Sequence, residues 1–225
     1  MTGNFVGKYR GKVLNNIDPL MLGRIIPLVP GVSELPLSWA LPCAPYAGDG
    51  VGFFALPPIG ANVWIEFEGG DPNHPIWVGG FWGKGEAPAM PAIPTTKVLQ
   101  TEQLSIKLDD LLTGVTIEAK TPSGTMEVQL DPQGVKLKCN GVEASLTQPA
   151  ITLKHSGSKL DVTPQGIGLE FSGGKLDIKA GTVALKQGAN GMDITSGSVG
   201  LKNGVASIDM AAGSVSINKG ALEVK

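Results

Sequence analysis

Cysteine is nearly absent from this chain: two residues in 225, Cys43 and Cys139, far apart in unlike regions. That excludes a disulfide framework and leaves two small buried thiols as the expectation. Charge is also scarce, at 17% Asp, Glu, Lys and Arg, with a net −2 and a pI near 5.7. The basic excess of an electrostatic nucleic-acid binder is missing, so no nucleic-acid partner is expected. No run reaches the roughly eighteen apolar residues of a membrane-spanning helix. The start, MTGNFVGKYRGKVLNN, lacks the apolar stretch of a secretory signal, so synthesis in a bacterial cytoplasm is expected. Histidine occurs twice, as His74 and His155, and no Ser-His-Asp, Cys-His, Walker-type or zinc-ligand spacing is present. The expectation is a non-enzyme with no cofactor and no metal site.

The most telling scarcity is regional. Eleven of the twelve aromatics precede residue 83, and only Phe171 follows. What fills the second part is a repeat of sixteen residues. Val135, Ile151, Ile167, Val183, Val199 and Val215 form one series, and two residues on run Leu137, Leu153, Leu169, Leu185, Leu201 and Ile217. Half a repeat away run Ala144, Leu160, Leu176, Met192, Ile208 and Val224, then Leu146, Val162, Ile178, Ile194 and Met210. Each repeat thus holds two short strands of apolar-polar-apolar alternation. Glycines mark the turns in register: Gly141, Gly157, Gly173, then Gly188, Gly204 and Gly220. A fixed period predicts a stack in which each unit buries its face against others.

Residues 1–82 read as an all-β domain with strands near 5–14, 23–29, 37–42, 52–56, 62–68 and 75–82, separated by turn-rich segments. Five or six strands in so short a span suit a small closed barrel of the OB type, with several tryptophans in its core. Residues 83–100, including the Pro- and Ala-rich GKGEAPAMPAIPTTK, read as an extended linker, and 101–225 as the repeat region.

Energetics then bear on assembly. A fully buried aliphatic side chain stabilises by roughly 1.5–3 kcal/mol. Two or three per strand are outweighed by roughly 8–16 kcal/mol of backbone entropy for the eight residues that a strand and its turn require. Each strand also needs hydrogen-bond partners on both sides. Three chains wound about one axis would supply partners and a shared aliphatic core, so a homotrimeric, intertwined β-helix is predicted. About fourteen strands from Val115 to Val224, at about 4.8 Å each, give a needle of roughly 65 Å.

The run NNIDPLMLGRIIPLVPGV, followed by SWALPCAPYAGDGVGFFALPPIGANVWIEFEGGDPNHPIWVGGFWG, resembles the OB domain of the central spike of contractile tails. That family includes phage baseplate spikes, phage baseplate assembly protein V and the VgrG spikes of type VI secretion. Asp18-Pro19, Gly23-Arg24, Pro30, Trp39-Ala40, Gly48, Pro58, Gly60 and the Phe67 to Pro75 segment, with Gly69, Asp71 and Pro72, carry the match. TEQLSIKLDD (101–110) and the following GVTIEAKTPSGTMEVQLDPQGVKL look like the start of the family's β-helix. The resemblance implies a trimeric spike in a phage tail baseplate or contractile injection particle. A baseplate hub would hold its barrel, and its needle would make transient contact with the target envelope during piercing. There is no room here for the lysozyme domain of one branch, and the ending GALEVK lacks the His-x-His tip of another. A separate PAAR-like tip protein would then dock near Ala221, Leu222 and Val224.

His155 lies in the series Cys139, His155, Phe171, Gln187, Asn203, Lys219, where three copies could converge on a metal or anion, but a corner or solvent-facing place fits its position at a strand end. His74, in GDPNHP, belongs to a turn. Asp161, Asp177, Asp193 and Asp209 form a ladder without the paired nonapeptide ligands of calcium-binding repeats, and read as outward residues kept apart by interleaved chains. The other function classes are a receptor-binding fibre or adhesin, and a polysaccharide-cleaving tailspike. The latter needs paired carboxylates in a groove, for which the short repeat leaves no space.

Overall fold

The computed structural model describes residues 4–219 and 221–224. The chain divides into two units, 1–87 and 88–225. Both are all-β; among the described residues the single helical element is a 3-10 turn at Glu68–Gly70.

In the first unit, alternation along the strands decides which side chains point inward. Val63, Ile65 and Phe67 of the strand Asn62–Phe67 are buried, while Asn62, Trp64 and Glu66 face outward. With β1 (Tyr9–Asn15), β2 (Ile26–Leu28), β3 (Leu41–Pro42), β4 (Ala47–Gly48), β5 (Val51–Gly52), β6 (Asn62–Phe67) and β7 (Pro75–Gly80), the main sheet runs β2-β1-β6-β7-β3. All its pairs are antiparallel except β3 with β7. A bridge between Ile25 and Ala40, with N–H···O distances of 3.1 and 2.8 Å, joins the two outer strands and closes the sheet on itself. Order, direction and closure are those of an OB barrel. Val13, Ile25, Val29, Ala40, Val63 and Ile65 form its fully buried core, flanked by Leu37 and Phe67.

Three expectations are corrected here. The core is aliphatic, not tryptophan-filled: Trp64 lies outside, against Phe81 and beneath Arg10, and Trp39 lies beside Arg24. Trp82 is exposed, and Trp77 reaches the core's margin with its indole N–H donating to the Gly23 carbonyl at 3.1 Å. Residues 52–56 do not form a sheet strand. The bridge has already closed the barrel, so no edge is left to pair with them, and the chain makes the small β4–β5 hairpin instead. Cys43 is exposed and Cys139 only half-buried, so neither thiol is sequestered.

The second unit is one antiparallel meander of sixteen strands among the described residues, from β8 (Thr96–Gln100) to β23 (Leu222–Val224), in strict chain order. Its first strand starts within the segment read as linker and pairs with Leu104–Asp109. Fourteen strands lie from Gly114 onward, the number the period implies. A six-residue strand plus a two-residue turn makes most half-repeats, while Ile151–His155 has five residues and follows a three-residue turn. At Asn140-Gly141 the turn residues have φ of 46° and 84°, the left-handed pair whose twist matches that of a hairpin. Ser156-Gly157 and Ser172-Gly173 repeat it. Gly220 lies outside the described residues.

The pairing corrects one step of the assembly argument. Consecutive strands of the same chain bond to each other, as Val135 to Leu146, Leu146 to Ile151, Ile151 to Val162 and Val162 to Ile167 show. The strands above and below any strand are its own chain neighbours, not strands of other chains. The meander therefore meets its backbone hydrogen bonds by itself.

Candidate functional site

In an antiparallel ladder, residues that pair across strands share a face and stack into columns. Two columns on one face are aliphatic from the second strand of the meander onward; in the first strand one ends in Lys97 and the other in Leu99. One runs through Val135, Leu146, Ile151, Val162, Ile167, Ile178, Val183, Ile194, Val199, Met210 and Val215. The other runs through Leu137, Ala144, Leu153, Leu160, Leu169, Leu176, Leu185, Met192, Leu201, Ile208 and Ile217. Toward β8 they continue into Leu130, Val115 and Leu108, and into Val128, Ile117 and Ile106. The four series read from the sequence thus merge into two lines on one face. None of the residues expected in a shared core is buried within the single chain; Leu169 is 39% and Leu185 42% exposed.

The opposite face is polar. Its outer column holds the ion pairs Lys138–Glu127 at 3.2 Å, Lys154–Glu143 at 3.9 Å and Lys175–Glu170 at 3.2 Å, while Lys154 also pairs with Lys159 and Lys175 with Lys186. Glu170 and Asp177 both face Lys175, and its ammonium is held above the usual lysine range, chiefly by Glu170. The Asp ladder lies in the central polar column, and its spacing has a different source from the one expected. Gly168, Ala184 and Gly200 of the same chain pair between Asp161, Asp177, Asp193 and Asp209. Successive carboxylates are thus two strand spacings apart, about 9.6 Å. Asp161 is held below the usual carboxylate range by the Lys159 ammonium at 2.5 Å, with the Thr152 hydroxyl donating to it at 2.8 Å.

His155 ends its strand, is exposed, and sits on the aliphatic face in line with Val142 and Ser158. His74 closes a turn in which its Nδ1 lies 3.2 Å from Asp71 Oδ2. Among the described residues no three of His, Cys, Asp and Glu come together. No helix there is long and apolar enough to cross a membrane. Of the residues expected at a tip, Ala221 and Leu222 are exposed, and the strand Leu222–Val224 pairs with Ser214–Ile217 on one side. Val224 is described by its backbone alone.

The first unit has its own features. Asp18 ties the loop after β1: its carboxylate accepts N–H bonds from Leu20, Leu22 and Arg24, and the Arg24 guanidinium at 2.6 Å. That guanidinium, with the three amides, holds Asp18 far below the usual carboxylate range. The sequence marks Asp18 and Arg24 only as a motif; their role as a knot comes from the fold. An open groove of 760 Å³ runs between this loop, the β4–β5 hairpin and Trp77. Phe53 and Phe54 stand beside it, Phe54 73% exposed. Periodicity offered no signal for this patch, because Phe53 and Phe54 read as strand residues.

No curated protein matches the chain. Residues 9–82, the closed barrel, match the family model of the type VI secretion system/phage-baseplate injector OB domain.

Proposed function

We propose that the protein is the non-enzymatic central spike of a contractile tail or injection machine: a homotrimer held by its barrel to a baseplate hub, with a β-sheet needle that helps pierce the target envelope. One observation carries this reading. Two aliphatic columns run unbroken from the meander's second strand onward and stay half-exposed. The chain exposes 15241 Å². A compact monomer of its mass, 23.3 kDa, would expose about 9,700 Å² by the usual scaling with mass. The excess, about 5,500 Å², is of the order that obligate assemblies bury. Three sheets packed by their aliphatic faces would enclose a triangular core and leave three salt-bridged faces in water.

The mechanism is stiffness. Interstrand hydrogen bonds lie perpendicular to the strands, hence along the direction in which the strands stack. A thrust along that direction loads the ladders end-on, and a packed aliphatic core resists buckling. The family match of the barrel supports the baseplate role. The exposed aromatics beside the first unit's groove suit an apolar contact with a hub, and the strand Leu222–Val224 suits a PAAR-like tip protein. The location that follows is a phage tail or injection particle.

The test is solution mass by light scattering, with and without mild SDS and heating. Three times 23.3 kDa, resistant to SDS, is the expected result. A stable particle of a single chain mass would overturn the reading.

A further inference from the structure

The aliphatic face has a third, lateral column, and its chemistry changes midway along the repeat region. It passes Leu104, Ala119 and Met126, then Cys139, Val142 and His155. Further on, Phe171 pairs with Gly174, Gly174 with Gln187, Gln187 with Asn190 and Asn190 with Asn203. The change falls at Gly174. A Cβ there would meet Gln187 Oε1 at 2.5 Å and the Phe171 ring at 2.8 Å, so these two side chains occupy the space that glycine leaves free. Before that point the column is largely apolar; after it come three exposed carboxamides.

The two inner columns cannot set a register between copies. They repeat every sixteen residues, so sliding one copy along another by one repeat, about 9.6 Å, sets Ile151 where Val135 was and Leu153 where Leu137 was. Almost every aliphatic contact is re-formed, and only the ends lose partners. The lateral column does not survive the same slide. It would place Phe171 where Gln187 belongs and His155 where Phe171 belongs.

We propose that the lateral column, above all Gln187, Asn190 and Asn203, is the register key by which copies of this chain align along the needle. The inference rests on the homotrimer proposed above. The occupant of the aliphatic face is another copy. A surface of this length and period, without charge in its two inner columns from Ile106 and Leu108 to Val215 and Ile217, is matched by the same face of a second chain. The excess surface is large enough for such an assembly. Carboxamides at the seam can exchange N–H···O bonds with carboxamides of another copy at the matching level, and a slide that sets them against apolar side chains leaves them unpaired. A single polar position specifies the register of an apolar coiled coil in the same way, at some cost in stability.

The experiment co-expresses two full-length chains, both carrying Cys43→Ser. One keeps Cys139; the other carries Cys139→Ser and His155→Cys, which lies one repeat further on. A short bifunctional maleimide joins neighbours, and mass spectrometry counts 139–139 and 155–155 links against 139–155 links. With the native column the ratio is expected to lie at least about tenfold from equality, about 1.4 kcal/mol of register preference. With Gln187→Leu, Asn190→Leu and Asn203→Leu in both chains, the particle is expected to keep its mass while the ratio moves toward equality. A ratio unchanged by the three substitutions, or one already near equality in the native column, would overturn the register key while leaving the trimer standing. A single-chain mass by light scattering would overturn the trimer and the key with it.

Discussion

The barrel and the meander are built from the same kind of strand, and only one of them encloses a core. Of the nine buried hydrophobic residues among those described, eight belong to the barrel and one, Ala184, to the meander. Both satisfy their backbone hydrogen bonds, the barrel by closing through Ile25 and Ala40, the meander by pairing each strand with the next. The lesson is that hydrogen-bond sufficiency and hydrophobic sufficiency are separate conditions. Closing a sheet brings its inner faces together; extending it leaves one face bare.

Four predictions test this contrast. The largest effect is expected from Leu169→Asp. In an assembly each copy would bury an unpaired carboxylate, at a cost of several kcal/mol, so light scattering should show loss of the trimer. A variant that stays trimeric and SDS-resistant would mean the aliphatic face is not the interface. Next, Ile65→Ala should cost roughly 2–5 kcal/mol, as for other large-to-small changes in a closed core. Calorimetry should show the barrel's transition falling while the particle mass holds; a coupled loss of both would show that the units do not unfold independently.

Gly166→Ala is expected to act in the meander, through the backbone. Gly166 has φ of 146°, and a Cβ there would run into the carbonyl oxygen of Ile178. Strain of about 1–3 kcal/mol should follow, seen as faster hydrogen exchange in the strands on either side. Unchanged protection there would mean that the backbone at Gly166 accommodates a side chain without strain. The smallest effect at neutral pH is acid-dependent. The Asp18 carboxyl is held well below its unfolded value of about 3.9. Its contribution is therefore fully present above about pH 4 and is lost as pH falls below that toward its folded value. Asp18→Asn should flatten the acid limb of the barrel's melting curve and leave the meander's unchanged. An identical acid slope in both proteins would contradict the loop-tying role.

Much of the meander was legible because the repeat carries its own proof. A period of sixteen with alternation inside it admits few structures, and the strand number, the turn glycines and the common face of the aliphatics follow from it. What the period does not carry is the identity of a strand's neighbours, since strands from other chains would have shown the same pattern. That is why the spacing of the Asp ladder had the wrong source, and why Thr96–Gln100, placed in a linker on composition, proved to be the first strand. The barrel was legible as a strand count and a family likeness, and less so in detail. Trp39, Trp64 and Trp82 are large enough to suggest a core, yet a small barrel has an interior fit for Val, Ile and Ala, and these tryptophans stay outside.

By itself, then, the sequence settled that this protein is all-β, that its two parts differ in kind, and that one face of the second carries aliphatic side chains in register through the sixteen-residue repeats. Each of these depends on side-chain order within a few residues, which a linear pattern records. The tertiary structure alone decided that the chain bonds strand to strand within itself, that Ile25 meets Ala40 to close the barrel, and that Asp18 gathers three amides and a guanidinium around one carboxylate. Those depend on which distant groups come together, and hydrogen-bond partners leave no period in a sequence.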